Sequence, residues 1–276
     1  MNTSLQGRVL IVAGSDSGGG AGIQADIKSV TAMGGFAMTA VTAITVQNTL
    51  GVHGIHDVPV DVVRAQMKAV LDDIGADAVK TGMLHSAAMV EAVAAELGEH
   101  AAVPFLVVDP VMVAKGGASL LEGTAVAALK EVLIPLATLV TPNVPEAEAL
   151  TGRTIVDLDG QKSAADALLG LGCDAVLVKG GHLEGATLFD VLATQETIEV
   201  FSSPRIETRH THGTGCTLAS AIAALLAQGI ELSLAVETAR DYVHEAIRTA
   251  PGFGKGNGPL NFLAALGDDE EPSRHE

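Results

Sequence analysis

The chain has 276 residues, 48% of them hydrophobic, and thirty-three acidic side chains against sixteen basic ones give a formal charge of −17. That balance repels nucleic-acid phosphates and anionic membranes, so neither is expected as a partner, whereas a small phosphorylated ligand held by local N–H groups stays open. Two cysteines, Cys173 and Cys216, make no disulfide framework and no CxxC metal site, and no apolar run is long enough for a signal-peptide core or a bilayer span, which points to the cytoplasm.

Strand-type and helix-type runs then alternate, the pattern of a parallel sheet covered by helices on both faces. In chain order the spacing predicts a strand over Val9 to Ala13, a helix over Gly22 to Met33, a strand over Ala37 to Val46 and a helix over Val60 to Ile74. In that last segment Val63, Met67, Val70, Leu71 and Ile74 recur at helical spacing between Pro59 and Gly75. A strand over Ala78 to Thr81, a helix over Ser86 to Leu97, a strand over Phe105 to Asp109 and a helix over Thr124 to Leu133 follow. Next come a strand over Thr138 to Thr141, helices over Pro145 to Leu150 and Lys162 to Leu171, and a strand over Ala175 to Lys179. Leu188 to Ala193 and Thr197 to Phe201 read as a hairpin, which makes the sheet mixed at one edge. Helices over Thr217 to Ala227 and Leu232 to Ala250 complete one domain spanning 1–276, with the polar stretch 267–276 expected as a frayed tail.

The most informative run is His212-Gly213-Thr214-Gly215-Cys216 ahead of a long alanine-rich helix. Its glycines let successive N–H groups converge at the positive end of the helix dipole, a place suited to phosphate. Cys216 sits where that dipole and a nearby cation can lower its pKa toward thiolate, so it is a candidate base. The loop AGSDSGGGAGIQAD, from Ala13 to Asp26, is a poor dinucleotide fingerprint, because its first glycine pair is displaced from the strand and Gln47 stands where a ribose carboxylate belongs. No GxxxxGK[ST] loop occurs either. As a substrate loop it lets a flat ring lie on backbone near Gly14, and Asp26 can accept from a hydroxyl. Gln47 offers an acceptor beside a donor, the complement of an aminopyrimidine edge.

Asp109, Asn143 and Glu146, and Lys179 follow successive strands and fall at one edge of the sheet, the carboxyl edge where open α/β sheets bind ligands. Phosphoryl transfer needs positive charge, N–H donors, a metal and a base. Asp109 and Glu146 are candidates for a hydrated Mg²⁺, Lys179 for the phosphates of ATP, and Gly213 to Cys216 for the γ-phosphoryl. Asn143 reads equally well as a helix cap.

The segments AGSDSGGGAGIQAD, TAITVQNT, DAVKTGML, DPVMVAKGGASLL, TPNVPEAEALTG, VLVKGGH and THGTGCTLASAIAA, in this order, resemble the hydroxymethylpyrimidine/phosphomethylpyrimidine kinases of thiamine biosynthesis over about Val9 to Pro259. The resemblance implies an α/β, ribokinase-like three-layer sandwich with a mostly parallel sheet. It implies two ATP-dependent steps, on the hydroxymethyl group of the pyrimidine and then on its monophosphate. It also implies that Gln47 reads the aminopyrimidine, that Gly14, Asp26, Met83 and Val111 line its pocket, and that Gly213, Thr214, Gly215 and Cys216 form the anion hole. Cys216 stands where the wider superfamily usually has an aspartate base, while Lys179, Asn143 and Thr214 are expected on ATP phosphate, Mg²⁺ on Asp109 and Glu146, and a homodimer as the assembly. His210 and Gly116 depart from the residues often seen there. A pyridoxine or pyridoxal kinase of the same fold, or a non-catalytic pyrimidine sensor, are the alternatives.

Overall fold

In the computed structural model the described residues are 7–100, 103–113, 117, 120 and 123–266. Short β-rich runs form nine strands: β1 (Arg8–Asp16), β2 (Phe36–Asn48), β3 (Gly51–Asp57), β4 (Ala78–Thr81), β5 (Phe105–Val108), β6 (Leu139–Val140), β7 (Ala175–Lys179), β8 (Thr187–Thr194) and β9 (Ile198–Pro204). They pair in the order β3-β2-β1-β4-β5-β6-β7-β8-β9. The strands from β2 to β7 in this order are parallel, while β3 at one end and β8 and β9 at the other are antiparallel to their neighbours.

The two-residue period of each strand sorts side chains into two cores. Val9, Ile11, Ala13, Ala78, Val107, Leu139, Ala175 and Leu177 pack under α7 (Thr214–Ala227) and α8 (Leu232–Arg248), with Val30 of α1 (Gly22–Ala32) joining them. Leu10, Val12, Val79, Leu106, Val108, Val140, Val176 and Val178 face the other way. That face is covered by α2 (Val60–Asp73), α3 (Ala87–Glu99), α4 (Gly123–Ala128), α5 (Val144–Thr151) and α6 (Leu158–Leu169). Helix α7 buries Thr217, Leu218, Ala219, Ser220, Ala221, Ile222, Ala223, Ala224 and Leu226, so its small side chains let it lie deep against the sheet on nearly every side.

The three-layer architecture meets the expectation, with corrections at its margins. β3 was not expected: GVHGIHD has two glycines and three polar residues, and only Val52 and Ile55 turn inward against Met83 and Ala43. The sheet is therefore mixed at both edges. Helix α7 begins at Thr214, three residues before the expected start, because Gly213 already takes the left-handed cap conformation. Helix α6 begins at Leu158, four residues early, since Asp157 accepts from Gly160 N and closes its first turn. Past Ala128 the predicted fourth helix widens over Leu129–Leu133 and tightens over Ile134–Leu136, where Pro135 brings no N–H. The stretch 267–276 lies outside the described residues. Among the described residues no helix is long and apolar enough to cross a membrane.

The winding sets the site. From β1 the chain moves outward to β2 and β3, then returns across β1 to lay down β4 to β7 on its other side. The winding direction reverses between β1 and β4, and the crevice outside the carboxyl ends of strands at such a point is where open α/β sheets bind ligands.

Candidate active site

The loop after β1 is organised by Asp16. Its carboxylate accepts N–H groups of Gly18 at 2.7 Å, Gly20 at 3.1 Å and Ala21 at 2.9 Å, and His212 Nε2 lies 2.8 Å from it. Burial works against that charge, but the His212 bond and the N–H groups of Gly18 and Ala21 outweigh it and hold Asp16 below the usual carboxylate range. Neither Asp16 nor His212 was expected to matter. The only sequence signal was an aspartate heading a glycine run, a common turn device.

Across the crevice, Gly213 has φ +84°, and a Cβ there would overlap Gly20 O. No side chain fits, so the turn ahead of α7 presses directly onto the glycine loop. Thr214 closes the turn by donating to Thr211 O at 2.8 Å. The position of a Cβ on Gly215 is 3.2 Å from Lys179 Nζ and 3.8 Å from Asp109 Oδ2, so the start of α7 stands beside a cation and a carboxylate delivered by β7 and β5.

Lys179 Nζ is 3.2 Å from Asp109 Oδ1, which also accepts from Thr141 Oγ1 at 3.3 Å. Burial draws Lys179 down, yet Asp109 and Glu146 more than offset it, so the lysine stays a cation. Burial also pushes Glu146 up to about 7, against Lys179 and with Asp109. Glu146 is tied to Asn143 in a capping box: Asn143 N donates to Glu146 Oε2 at 2.8 Å, and Glu146 N donates to Asn143 Oδ1 at 2.9 Å. The cap reading of Asn143 is thus met by its side-chain oxygen.

Among the described residues no group of three or more His, Cys, Asp or Glu could hold a metal. A Mg²⁺ that keeps its waters needs fewer protein ligands, and Asp109 Oδ2 is buried without any hydrogen-bond partner in the protein, which fits such a role.

Beneath the anion loop lies a buried triad. Lys80 Nζ, on β4, is 2.9 Å from Asp26 Oδ1, which also accepts from Ser220 Oγ at 2.7 Å. Both members of the ion pair are fully buried. Burial lowers Lys80, but the carboxylates of Asp26 and Asp109 more than restore its charge. Asp26 is thus a support within the core whose second oxygen, Oδ2, has no protein partner. Lys80 was missed, since a lysine in DAVKTGML reads as a strand-end charge.

Cys216 requires a correction. Burial pushes its thiol up to about 12, with only Lys80 and a backbone contact to Gly22 opposing, while Asp26 and Asp109 add to the rise. The expected drift toward thiolate does not occur, because the half-buried sulfur is shielded from water by the surrounding protein and has the carboxylates of Asp26 and Asp109 nearby.

The apolar part of the crevice gathers Met83, Ala43 and Leu120, with Val111, Val52 and Ile55 packed against them. Gly14 faces Met83 Sδ, 3.2 Å from where its Cβ would be. Gln47 stands at the rim, its Oε1 3.0 Å from Thr45 Oγ1 and its Nε2 3.3 Å from His212 Nε2. His210 lies apart, packed on Gly258, and Gly116 is outside the described residues.

Comparison with known proteins places the chain by sequence and by overall fold. The profile of the family described as phosphomethylpyrimidine kinase matches residues 16–261. The chain is 54% identical over 263 residues to the thiamine biosynthesis bifunctional protein ThiED of Geobacter sulfurreducens, covering 95% of this chain and 54% of that protein, so the chain spans about half of that relative's length. It is 50% identical over 258 residues to the hydroxymethylpyrimidine/phosphomethylpyrimidine kinase of Bacillus subtilis, covering 93% of this chain and 95% of that one. Among solved structures, the ADP complex of Bacillus subtilis pyridoxal kinase superposes with a TM-score of 0.88 at 38% identity, over 95% of this chain and 99% of that one. Sequence and fold thus agree, and the chain belongs to the phosphomethylpyrimidine kinase family.

Proposed function

We propose that the chain transfers the γ-phosphoryl group of ATP to the hydroxymethyl oxygen of 4-amino-5-hydroxymethyl-2-methylpyrimidine, and then a second group to the resulting monophosphate, as a step of thiamine biosynthesis. One observation carries this reading: an amide, Gln47, stands at the rim of an apolar crevice formed by Met83 and Val111, next to the loop Gly213 to Cys216. The ring lies on Gly14 and Met83, its amine and ring nitrogen meet Gln47, and the free Oδ2 of Asp26 accepts from the hydroxyl. Lys179 neutralises the phosphates of ATP, while N–H groups of Gly213, Thr214 and Gly215 meet the transferring group. Asn143, whose backbone and side-chain oxygen serve the helix cap, contributes its side-chain amide hydrogens near the nucleotide.

The alcohol oxygen forms the new P–O bond as the bond to ADP breaks, and its proton goes to the sulfur of Cys216. Only the thiolate can accept it, and Lys80 is the buried cation that favours this form. Asp109 and Glu146 would hold Mg²⁺, which supplies charge neutralisation across the phosphates. A second copy of the chain is the proposed partner, supported by the exposed Ile44, Val46 and Leu50 along β2 and its turn. A reducing, cytoplasmic setting fits the two unbridged cysteines.

The test is ADP release measured separately with the pyrimidine alcohol and with its monophosphate. Release with both supports the reading; binding without ADP release would make the chain a sensor. The likeness to a pyridoxal kinase supports a second reading, pyridoxal phosphorylation, and pyridoxal belongs in the same assay.

A further inference from the structure

We propose that His212, anchored by Asp16, is a positioning residue that fixes the amide of Gln47 with its oxygen toward the anion loop, and thereby decides which way round the aminopyrimidine docks. The inference rests on the substrate reading above and goes beyond it by assigning the residue that sets substrate orientation.

The two ends of a glutamine amide have the same shape, so their identity follows from the groups they face. As placed, Gln47 Nε2 lies 3.3 Å from His212 Nε2 and Gln47 Oε1 lies 3.0 Å from Thr45 Oγ1. Both neighbours demand the reverse. A carboxylate only accepts, so His212 Nε2, 2.8 Å from Asp16 Oδ2, must carry a hydrogen. That hydrogen goes chiefly to Asp16, but an amide NH₂ 3.3 Å away would set donor against donor, whereas an oxygen there shares it as the longer arm of a three-centre bond. On the other side, Thr45 Oγ1 has one hydrogen, and Ser15 O at 2.9 Å, a carbonyl that can only accept, takes it. Thr45 can then only accept from Gln47, which puts the amide nitrogen there. Two independent contacts thus select one orientation: oxygen toward His212, nitrogen toward Thr45.

His212 itself has little freedom. A Cβ on Gly20 would come within 2.5 Å of its ring, and its backbone N–H bonds Gly258 O at 3.2 Å. The next residue in the chain is Gly213, so the oxygen end of Gln47 is the end nearer the anion loop. An aminopyrimidine meets such an amide with its exocyclic amine on the oxygen and its ring nitrogen on the NH₂. In 4-amino-5-hydroxymethyl-2-methylpyrimidine the amine and the hydroxymethyl group are on adjacent carbons. This orientation therefore brings the hydroxymethyl group to the side of Gly213 to Cys216, and the opposite one turns it away.

The experiment compares the pyrimidine alcohol with its analogue lacking the 4-amino group, using steady-state kinetics on wild type, His212→Ala, His212→Gln, Gln47→Ala and the His212→Ala/Gln47→Ala double variant. His212→Ala should raise the KM of the aminopyrimidine about tenfold, the scale of one hydrogen bond, while the KM of ATP and the kcat/KM of the des-amino analogue stay within about twofold. His212→Gln, whose amide N–H can replace Nε2–H, should recover most of the loss. In the Gln47→Ala background, His212→Ala should add nothing. Equal losses on both substrates, or additive losses in the double variant, would overturn the proposal by showing that His212 merely holds the loop. If His212→Ala melts, Thr45→Val removes the partner on the other side of Gln47 and must show the same amine-specific loss. If wild type releases no ADP with the aminopyrimidine yet phosphorylates pyridoxal, the substrate reading has failed and this inference falls with it, an outcome distinct from the equal-loss result.

Discussion

The ammonium of Lys80 lies 2.9 Å from Asp26 Oδ1, and neither side chain is exposed to solvent. The pair joins β4 to α1 and, through Ser220, to α7, so it ties the two sides of the crevice beneath Cys216. Removing one partner leaves the other charge buried and uncompensated. Lys80→Met should therefore cost about 3–5 kcal/mol. The Lys80→Met/Asp26→Asn double variant, which buries no charge, should recover much of that loss. Urea unfolding of the three proteins checks this, and a single variant within about 1 kcal/mol of wild type would show that the pair is not structural.

The raised thiol of Cys216 has a kinetic consequence. Its folded pKa of about 12 lies above the ordinary thiol value, so the thiolate fraction is small at neutral pH and grows about tenfold for each unit of pH below that value. If this thiolate takes the proton, log kcat/KM should climb with pH from 7 to 9 without a plateau. Cys216→Ala should flatten the profile and lower kcat on the order of a hundredfold, with the pyrimidine KM little changed. A wild-type plateau near pH 7, or normal turnover in the variant, would remove Cys216 from that role.

Gly213 offers a sharper test of the anion loop. Its φ of +84° and the closeness of Gly20 O leave no room for a side chain. Gly213→Ala must either unbend the loop or push the glycine loop away, at a backbone cost of about 1–2 kcal/mol before any steric overlap is added. Turnover should fall by about a hundredfold or more, and the melting temperature should drop. Unaltered kcat with normal phosphate binding would mean that the bend does not hold the transferring group.

Local chemistry was readable in advance, and long-range pairing was not. The period-two runs of β1 and β7 and the glycines at 213 and 215 are visible within a few residues, so the sheet, the tight turn ahead of α7 and the shared edge of Asp109, Asn143 and Lys179 could be drawn from sequence. Lys80 and Asp26 are 54 residues apart, and His212 and Asp16 are 196 apart. No periodicity reports that such residues meet; only the crossing from β1 to β4 and the descent of α7 between them do so. The same limit applies to β3, whose pairing with β2 supplies order that GVHGIHD does not signal alone. Cys216 differs for a related reason, since a helix start suggests a lowered thiol only while the desolvation of the sulfur and its two carboxylate neighbours are unknown.

Glu146 provides a pH test with a definite sign. Its folded value of about 7 lies above the ordinary 4.5, chiefly because it is buried. Between those values the native state holds the extra proton, so stability is fully present below about 4.5 and is lost as pH rises toward 7. The loss corresponds to about 3 kcal/mol. Glu146→Gln removes the titration but keeps an oxygen for the N–H of Asn143, so the capping box survives. Relative to wild type the variant should gain stability between pH 5 and pH 8, read as a urea midpoint that shifts upward only at the higher pH. If Glu146 is also a Mg²⁺ ligand, the same variant should need more Mg²⁺ for half-maximal ADP release. Midpoints that move in parallel at both pH values would show that Glu146 is ionised throughout and that its burial carries no such penalty.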